Sequence, residues 1–426
     1  TPTDAFELHP DNRLYGTTLS RAAPEASLPF LAAAADAKKT ELSDAIARGA
    51  DPTVASEQLW WLARLIPHVL ADPFDGEIPL PPDALAERSR TATLAGQPCP
   101  VDALSTAYVN LACLCLDDTA RSAISPRLME TFLWGAARWA DTYLMPEDVG
   151  GSLHAAVFAG GGGGGGRVHG GVGAGAGLGA HVTNQPPGPF SEHGGGVQVL
   201  DALLRVARVA LTAWPGETGV QSVAAQKLLP ALTRRRALCR ACVNLPSWGA
   251  LLDAQAGALA GLVNSHTSGL TGVSAGVPSF SFPPEVHRFV CEAAGRAAEG
   301  TRDDAQAEAY CARILAPVGA SLADASRMGP DAYARPECET AAVATLEALR
   351  GVALDADRFR RRREPGGFGF GAPEAFAKRL LARRRRVRTS PRAPLCPEGA
   401  GEFDDTGLFS GTTGATTEPT FRDLIC

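Results

Sequence analysis

The stretch ISPRLMETFLWGAARWADTYLMP, residues 124–146, decides the fold. Leu128, Phe132, Ala136, Trp139 and Tyr143 follow one another at steps of four, four, three and four, which is one apolar stripe of an α-helix. Pro126 suits the first turn, where its missing N–H is not needed, and Pro146 suits the end. Similar amphipathic stretches occur at about 27–48, 54–71, 101–116, 197–213, 219–242, 246–263, 284–299, 303–326 and 337–354. Alternation of the strand kind is hard to find anywhere.

Paired helices of this length, joined by short turns bearing Pro or Gly, recur at roughly the 40-residue spacing of HEAT-type repeats. The expected class is therefore all-α. The expected architecture is an α-solenoid of HEAT-type helical repeats, because each helix pair can bury its apolar face only against neighbouring pairs. Two segments interrupt the periodicity. Residues 150–196 hold 19 of the 46 glycines, including the run Gly160–Gly166, and are expected to be a disordered insertion. Residues 358–426, with arginine runs and a Ser/Thr/Gly/Pro-rich end, are expected to be a basic, low-order tail. The helical repeats then occupy 1–149 and 197–357.

Charge divides along the same line. Residues 1–357 carry 26 Lys and Arg against 38 Asp and Glu, whereas the rest carries 14 against 8. So acidic a body discourages nucleic acid and favours basic protein partners. No window reaches the roughly 18 uninterrupted apolar residues that a membrane span needs, so no membrane partner is expected. Ten cysteines spread over 426 residues, mostly in helical stretches, fit buried thiols in a reducing compartment better than a disulfide framework.

Motifs of chemistry do not survive their context. GVSAG places Ser274 at the centre of a nucleophile-elbow pattern, but no strand precedes it and its flanks read as loop. GAGLGA, at 175–180, lies in polyglycine with no βαβ unit around it. Cys239 and Cys242 form a single Cys-x-x-Cys and lack the second pair a structural zinc site needs. His169, His181 and His193 have no scaffold. The arginine runs read as a solvated tail ahead of a nuclear localisation signal. No catalytic set, cofactor site or metal cluster is expected, and the chain is not expected to be an enzyme.

Four blocks carry a resemblance. Trp61-Leu62, Leu70-Ala71-Asp72 and Gly76–Pro82 form the first; Ser125-Pro126, Trp134, Arg138-Trp139-Ala140 and Thr142-Tyr143-Leu144 the second. Leu228-Leu229, Leu232, Arg234–Arg236 and Trp248 form the third, and Thr345–Gly351 with Ala353 the fourth. In this order they resemble the exportin-4 family of nuclear transport receptors, within the importin-β superfamily. The chain starts at Thr1 and stops at FRDLIC, so by this resemblance a middle portion of such a karyopherin is expected. The glycine-rich segment and the stretch after about 357 depart from the family pattern.

The resemblance implies binding without catalysis. Such exportins take up protein cargo together with Ran-GTP, pass the nuclear pore through weak contacts with Phe-Gly nucleoporins, and shuttle between nucleus and cytoplasm. Family cargoes are the hypusine-containing translation factor and Smad-type regulators, with Sox-type factors carried inward. The alternative is a HEAT-repeat scaffold with no transport role. Trp60 and Trp61 are expected to straddle the seam and the edge of their helix, which leaves Asp75 and Glu77, in the loop that follows, as the candidate surface contacts.

Overall fold

The computed structural model describes residues 17–72, 81–146, 190–192, 194–271, 280–327 and 335–361. Among these residues every regular element is helical and no strand occurs. The elements are α1 (Pro24–Ala47), α2 (Thr53–Leu70), α3 (Asp83–Leu94), α4 (Pro100–Ala112), α5 (Asp118–Ala123) and α6 (Pro126–Tyr143). After the glycine-rich segment come α7 (Gly196–Thr212), α8 (Thr218–Val223), α9 (Leu229–Leu232) and α10 (Arg236–Cys242). The last are α11 (Pro246–Thr271), α12 (Pro284–Ala297), α13 (Asp304–Arg327) and α14 (Pro336–Arg361).

The deciding stretch forms α6. Ser125 caps it, its Oγ accepting the Leu128 N–H at 3.2 Å, and Pro126 follows in the first turn. All five residues of the predicted stripe are buried, Trp139 and Tyr143 completely. The helix ends where Leu144 turns extended, with φ −80° and ψ 117°; Met145 follows in a left-handed conformation, φ 45°, and gives its N–H to the Phe190 carbonyl at 2.9 Å. Phe190 then sets its ring edge-on to Trp139, with 5.0 Å between ring centres. Residues 145 and 190 thus meet directly.

The helices pack in two rows. In the first, α1 contacts α4, the 3₁₀ turn Cys113–Leu116 that continues α4 contacts α7, α7 contacts α11, and α11 contacts α13. In the second, α2 contacts α6, α6 contacts the rod formed by α8, the π-turn Ala224–Leu228 and α9, the rod contacts α12, and α12 contacts α14. One hydrophobic cluster runs through both, from Leu28 in α1 to Val352 in α14. At full burial a Leu or Phe side chain in it is worth about 1.5–3 kcal/mol, so the rows are held chiefly by such contacts. Trp248 of α11 donates its Nε1–H to the Tyr310 hydroxyl at 2.9 Å, and that hydroxyl donates to the Ala294 carbonyl at 3.0 Å. One polar thread through apolar packing thereby ties α11, α13 and α12 together.

Close approach in the second row needs glycine at one telling place. A Cβ on Gly351 of α14 would collide with the Arg288 carbonyl of α12, a backbone atom that cannot swing aside.

The structure refines the expected boundaries. The stretch expected at 219–242 breaks at 233–235, where Arg235 is extended, with φ −102° and ψ 148°. Ahead of Pro230 the helix widens into its π-turn, which accommodates a ring that cannot donate and that crowds the preceding carbonyl. Helix α3 was not among the expected elements, and α11 continues beyond 263 to Thr271. Helix α14 runs to Arg361, three residues past the start of the expected tail at 358.

Candidate protein-contact surface

The last carbonyls of α2 have no partners within the helix, and such groups must find others when they are covered. They do. Arg21 donates from Nε to the Val69 carbonyl at 3.0 Å and from Nη2 to His68 at 2.6 Å and Ala71 at 3.2 Å. Arg138, on α6, donates to Pro67 at 3.2 Å and Ala71 at 2.7 Å, and the buried Tyr143 hydroxyl donates to Leu70. Arg21 also pairs with Asp72 at 2.5 Å. The Leu70-Ala71-Asp72 exit is therefore held by Arg21 and by α6.

The same device closes α6. Arg235, itself buried, donates to the carbonyls of Ala140 at 3.0 Å, Leu144 at 2.8 Å and Asp141. Beside it Arg234 pairs with Asp141 at 3.0 Å. Burial still outweighs Arg234, Arg235 and Arg296 and pushes the Asp141 carboxyl upward.

Beside this frame, and sharing Arg138 with it, α2 and α6 form a partly exposed surface of aromatic rings and arginines. Trp60 is buried, whereas Trp61 next to it is 47% exposed and meets it edge-on at 4.8 Å. Two turns earlier on the same helical face, Val54 is 68% exposed. The Arg127 guanidinium lies 4.0 Å over the Trp60 ring. Arg64 lies 4.8 Å from the ring centre of Trp134 and Arg138 6.0 Å, and the His68 ring sits 5.1 Å from the same indole. Cations stacked on indoles are attracted by the ring quadrupole and are held at defined positions along the surface.

Asp75 and Glu77 lie outside the described residues, as do Ser274, the GAGLGA stretch and His169, His181 and His193. Cys239 and Cys242 are buried, their Sγ atoms donating to the carbonyls of Thr233 at 3.3 Å and Leu232 at 3.6 Å. Burial raises the Cys242 thiol well above the usual range, so it packs as a protonated side chain. Among the described residues no group of three His, Cys, Asp or Glu could hold a metal ion, and no helix is long and apolar enough to cross a membrane. A cavity of about 20 Å³ among α11, α12 and α13, lined by Gln255, Leu259, Cys291 and Ile314, has room for one water.

Sequence reasoning did not pick out Arg64 and Arg127, and it named Arg138 only as part of a resembling block. A signal was present. Trp60–Arg64 and Trp134–Arg138 are both spaced four apart, which puts aromatic and cation on one helix face. No family pattern matches the chain, and no curated protein matches it.

Proposed function

We propose that this chain works as a nuclear export receptor of the exportin-4 kind, an α-solenoid of HEAT-type repeats that binds protein cargo together with Ran-GTP. By the resemblance, cargo is the hypusine-containing translation factor or a Smad-type regulator, and passage uses Phe-Gly nucleoporins between nucleus and cytoplasm. One observation carries the reading. Trp61, Leu62 and Leu70 of the first block lie on α2, with Gly76–Leu80 outside the described residues; the second and fourth blocks lie on α6 and α14, and the third covers the rod, α10 and the start of α11; these are mostly members of one row, met in chain order.

Within those blocks the resembling residues fall where one helix meets the next. Trp139, Tyr143, Leu228, Leu229, Leu232 and Trp248 are core, Arg138 and Arg235 close helix ends, and Gly351 is the close approach to α12. Rows in which each element contacts the next are what repeat stacking produces, and such an array can flex and couple two binding sites.

The test is retention of the complete protein on immobilised Ran, GTP-locked against GDP-bound. Selective retention by the GTP form, strengthened by cargo, is the expected result. Equal retention by both forms would reject the transport role. Binding of protein partners with no response to Ran would favour the scaffold instead.

A further inference from the structure

We infer that the cavity among α11, α12 and α13 is a binding site for one ordered water, held by the Gln255 side-chain carbonyl, the Arg313 backbone carbonyl and the Cys291 thiol. The site is independent of the transport reading. Its first member is a buried amide. Gln255, on α11, is 7% exposed, and its Nε2 approaches His287 Nδ1 at 2.8 Å and Cys291 Sγ at 3.6 Å, both on α12. An amide nitrogen only donates, so its two N–H groups are spent on α12 and Nδ1 is the accepting nitrogen of the imidazole. Burial draws His287 down to about 4, which keeps the ring neutral and Nδ1 able to accept at neutral pH. Gln255 Oε1 is then an acceptor turned away from that pair, and among the described residues no group donates to it.

The second member comes from α13. Pro317 stands inside that helix and has no N–H to give the carbonyl of Arg313, one turn earlier. Arg313, Pro317, Gln255 and Cys291 all line the cavity, and much of the remaining wall is apolar, as at Leu259 and Ile314. The third member is the thiol. Cys291 Sγ accepts from Gln255 and keeps an S–H of its own to give, since burial raises the thiol to about 12 and holds the proton on it.

One water placed there donates to Gln255 Oε1 and to the Arg313 carbonyl and accepts from Cys291. Three partners are what a buried water typically finds. The volume, about 20 Å³, takes one such molecule and nothing larger. Its partners stand on three different helices, so the water joins α11, α12 and α13 at the junction that the Trp248–Tyr310–Ala294 thread also crosses, Ala294 being part of the same wall. A bridge of this kind holds nearly as well as a direct hydrogen bond.

Magnetic relaxation dispersion of the water oxygen, measured on the full chain, counts its long-lived internal waters. Gln255→Met, which removes an acceptor, and Ala256→Ile, which fills the cavity with Gln255 intact, should each lose one of them relative to the parent. Pro317→Ala restores an N–H to the Arg313 carbonyl and should shorten the residence time of the same water about tenfold, the effect of one hydrogen bond. Ala256 is half-buried and Pro317→Ala introduces a better helix former, so both variants should keep the parent's helicity and carry the test even where Gln255→Met does not fold. A crystal structure of the parent should show one peak about 3 Å from Gln255 Oε1. An unchanged count in folded Gln255→Met or in Ala256→Ile would overturn the site, as would a residence time that Pro317→Ala leaves unmoved.

Discussion

Two regions of this protein bury polar groups in opposite ways. At the end of α6, Arg235 lies under the core with its guanidinium satisfying three carbonyls. Between α11 and α12, the Gln255 Nε2 approaches His287 Nδ1 at 2.8 Å and Cys291 Sγ at 3.6 Å. There, Gln255 Oε1 and His287 Nε2 are left without a hydrogen-bond partner. In the first region the desolvation of a charge is offset by fixed acceptors. In the second it is only half offset, and burial draws His287 down to about 4. Burial alone does not say what a polar group contributes; its remaining partners do.

The largest effect should come from breaking the satisfied region. Arg235→Met strands the Asp141 and Leu144 carbonyls at about 1–3 kcal/mol each if neither rehydrates, while the Ala140 carbonyl keeps the Leu144 N–H, so a loss of at least ~2 kcal/mol is expected. Urea unfolding would show it as a lower midpoint. Arg235→Lys should recover only part of that loss, because a single ammonium cannot span acceptors that suit a planar fork. The half-satisfied region should respond the other way round. His287→Leu alone leaves the Gln255 amide stranded and costs about 1–2 kcal/mol, whereas Gln255→Leu combined with His287→Leu removes both orphans and stays within about 1 kcal/mol of the parent. A double variant weaker than the single would refute this account of the pair.

How legible these features were in the sequence follows from where their causes lie. The stripe of α6, its Ser-Pro start and the helical periods elsewhere are local patterns, and burial at 128, 132, 136, 139 and 143 followed them. Helix α3 escaped because DALAERSRTATL is mostly polar and alanine, and its buried side is made by Leu85, Ala86, Ser89 and Ala92, too small a stripe to stand out. The break at 233–235 has no glycine or proline to announce it. Its cause is tertiary: Arg235 leaves the helix to reach carbonyls more than 90 residues away in the chain. The aromatic and arginine surface was legible only as spacing within each helix, since the stack of Arg64 on Trp134 joins α2 to α6 and exists only after they pack. Asp75 and Glu77 were chosen by their place in a loop, and the loop lies outside the described residues.

The comparison sharpens further with pH, because a half-buried carboxyl, that of Asp102, opposes His287. Asp102 stands in the first turn of α4, where the helix end favours its charge, yet burial prevails and raises its carboxyl to about 6 against a weak offset from Cys99. Its Oδ1 has no hydrogen-bond partner. For His287 the folded value lies below the unfolded one, so the unfolded chain binds more protons between about pH 6.5 and 4 and stability falls as pH falls through that window. For Asp102 the folded value lies above the unfolded one, so the native state holds the extra proton and stability falls as pH rises from about 4 to 6. Over pH 4–6 the two slopes therefore oppose each other. Asp102→Asn should raise stability at pH 7 by about 1–2 kcal/mol after allowing for residual solvent, and should steepen the loss on acidification. His287→Leu should do the reverse and leave a chain whose stability declines as pH rises through the same window. Urea midpoints of both variants across pH 4–7 separate the two groups, and identical slopes would mean that neither carboxyl nor imidazole is held as this packing requires.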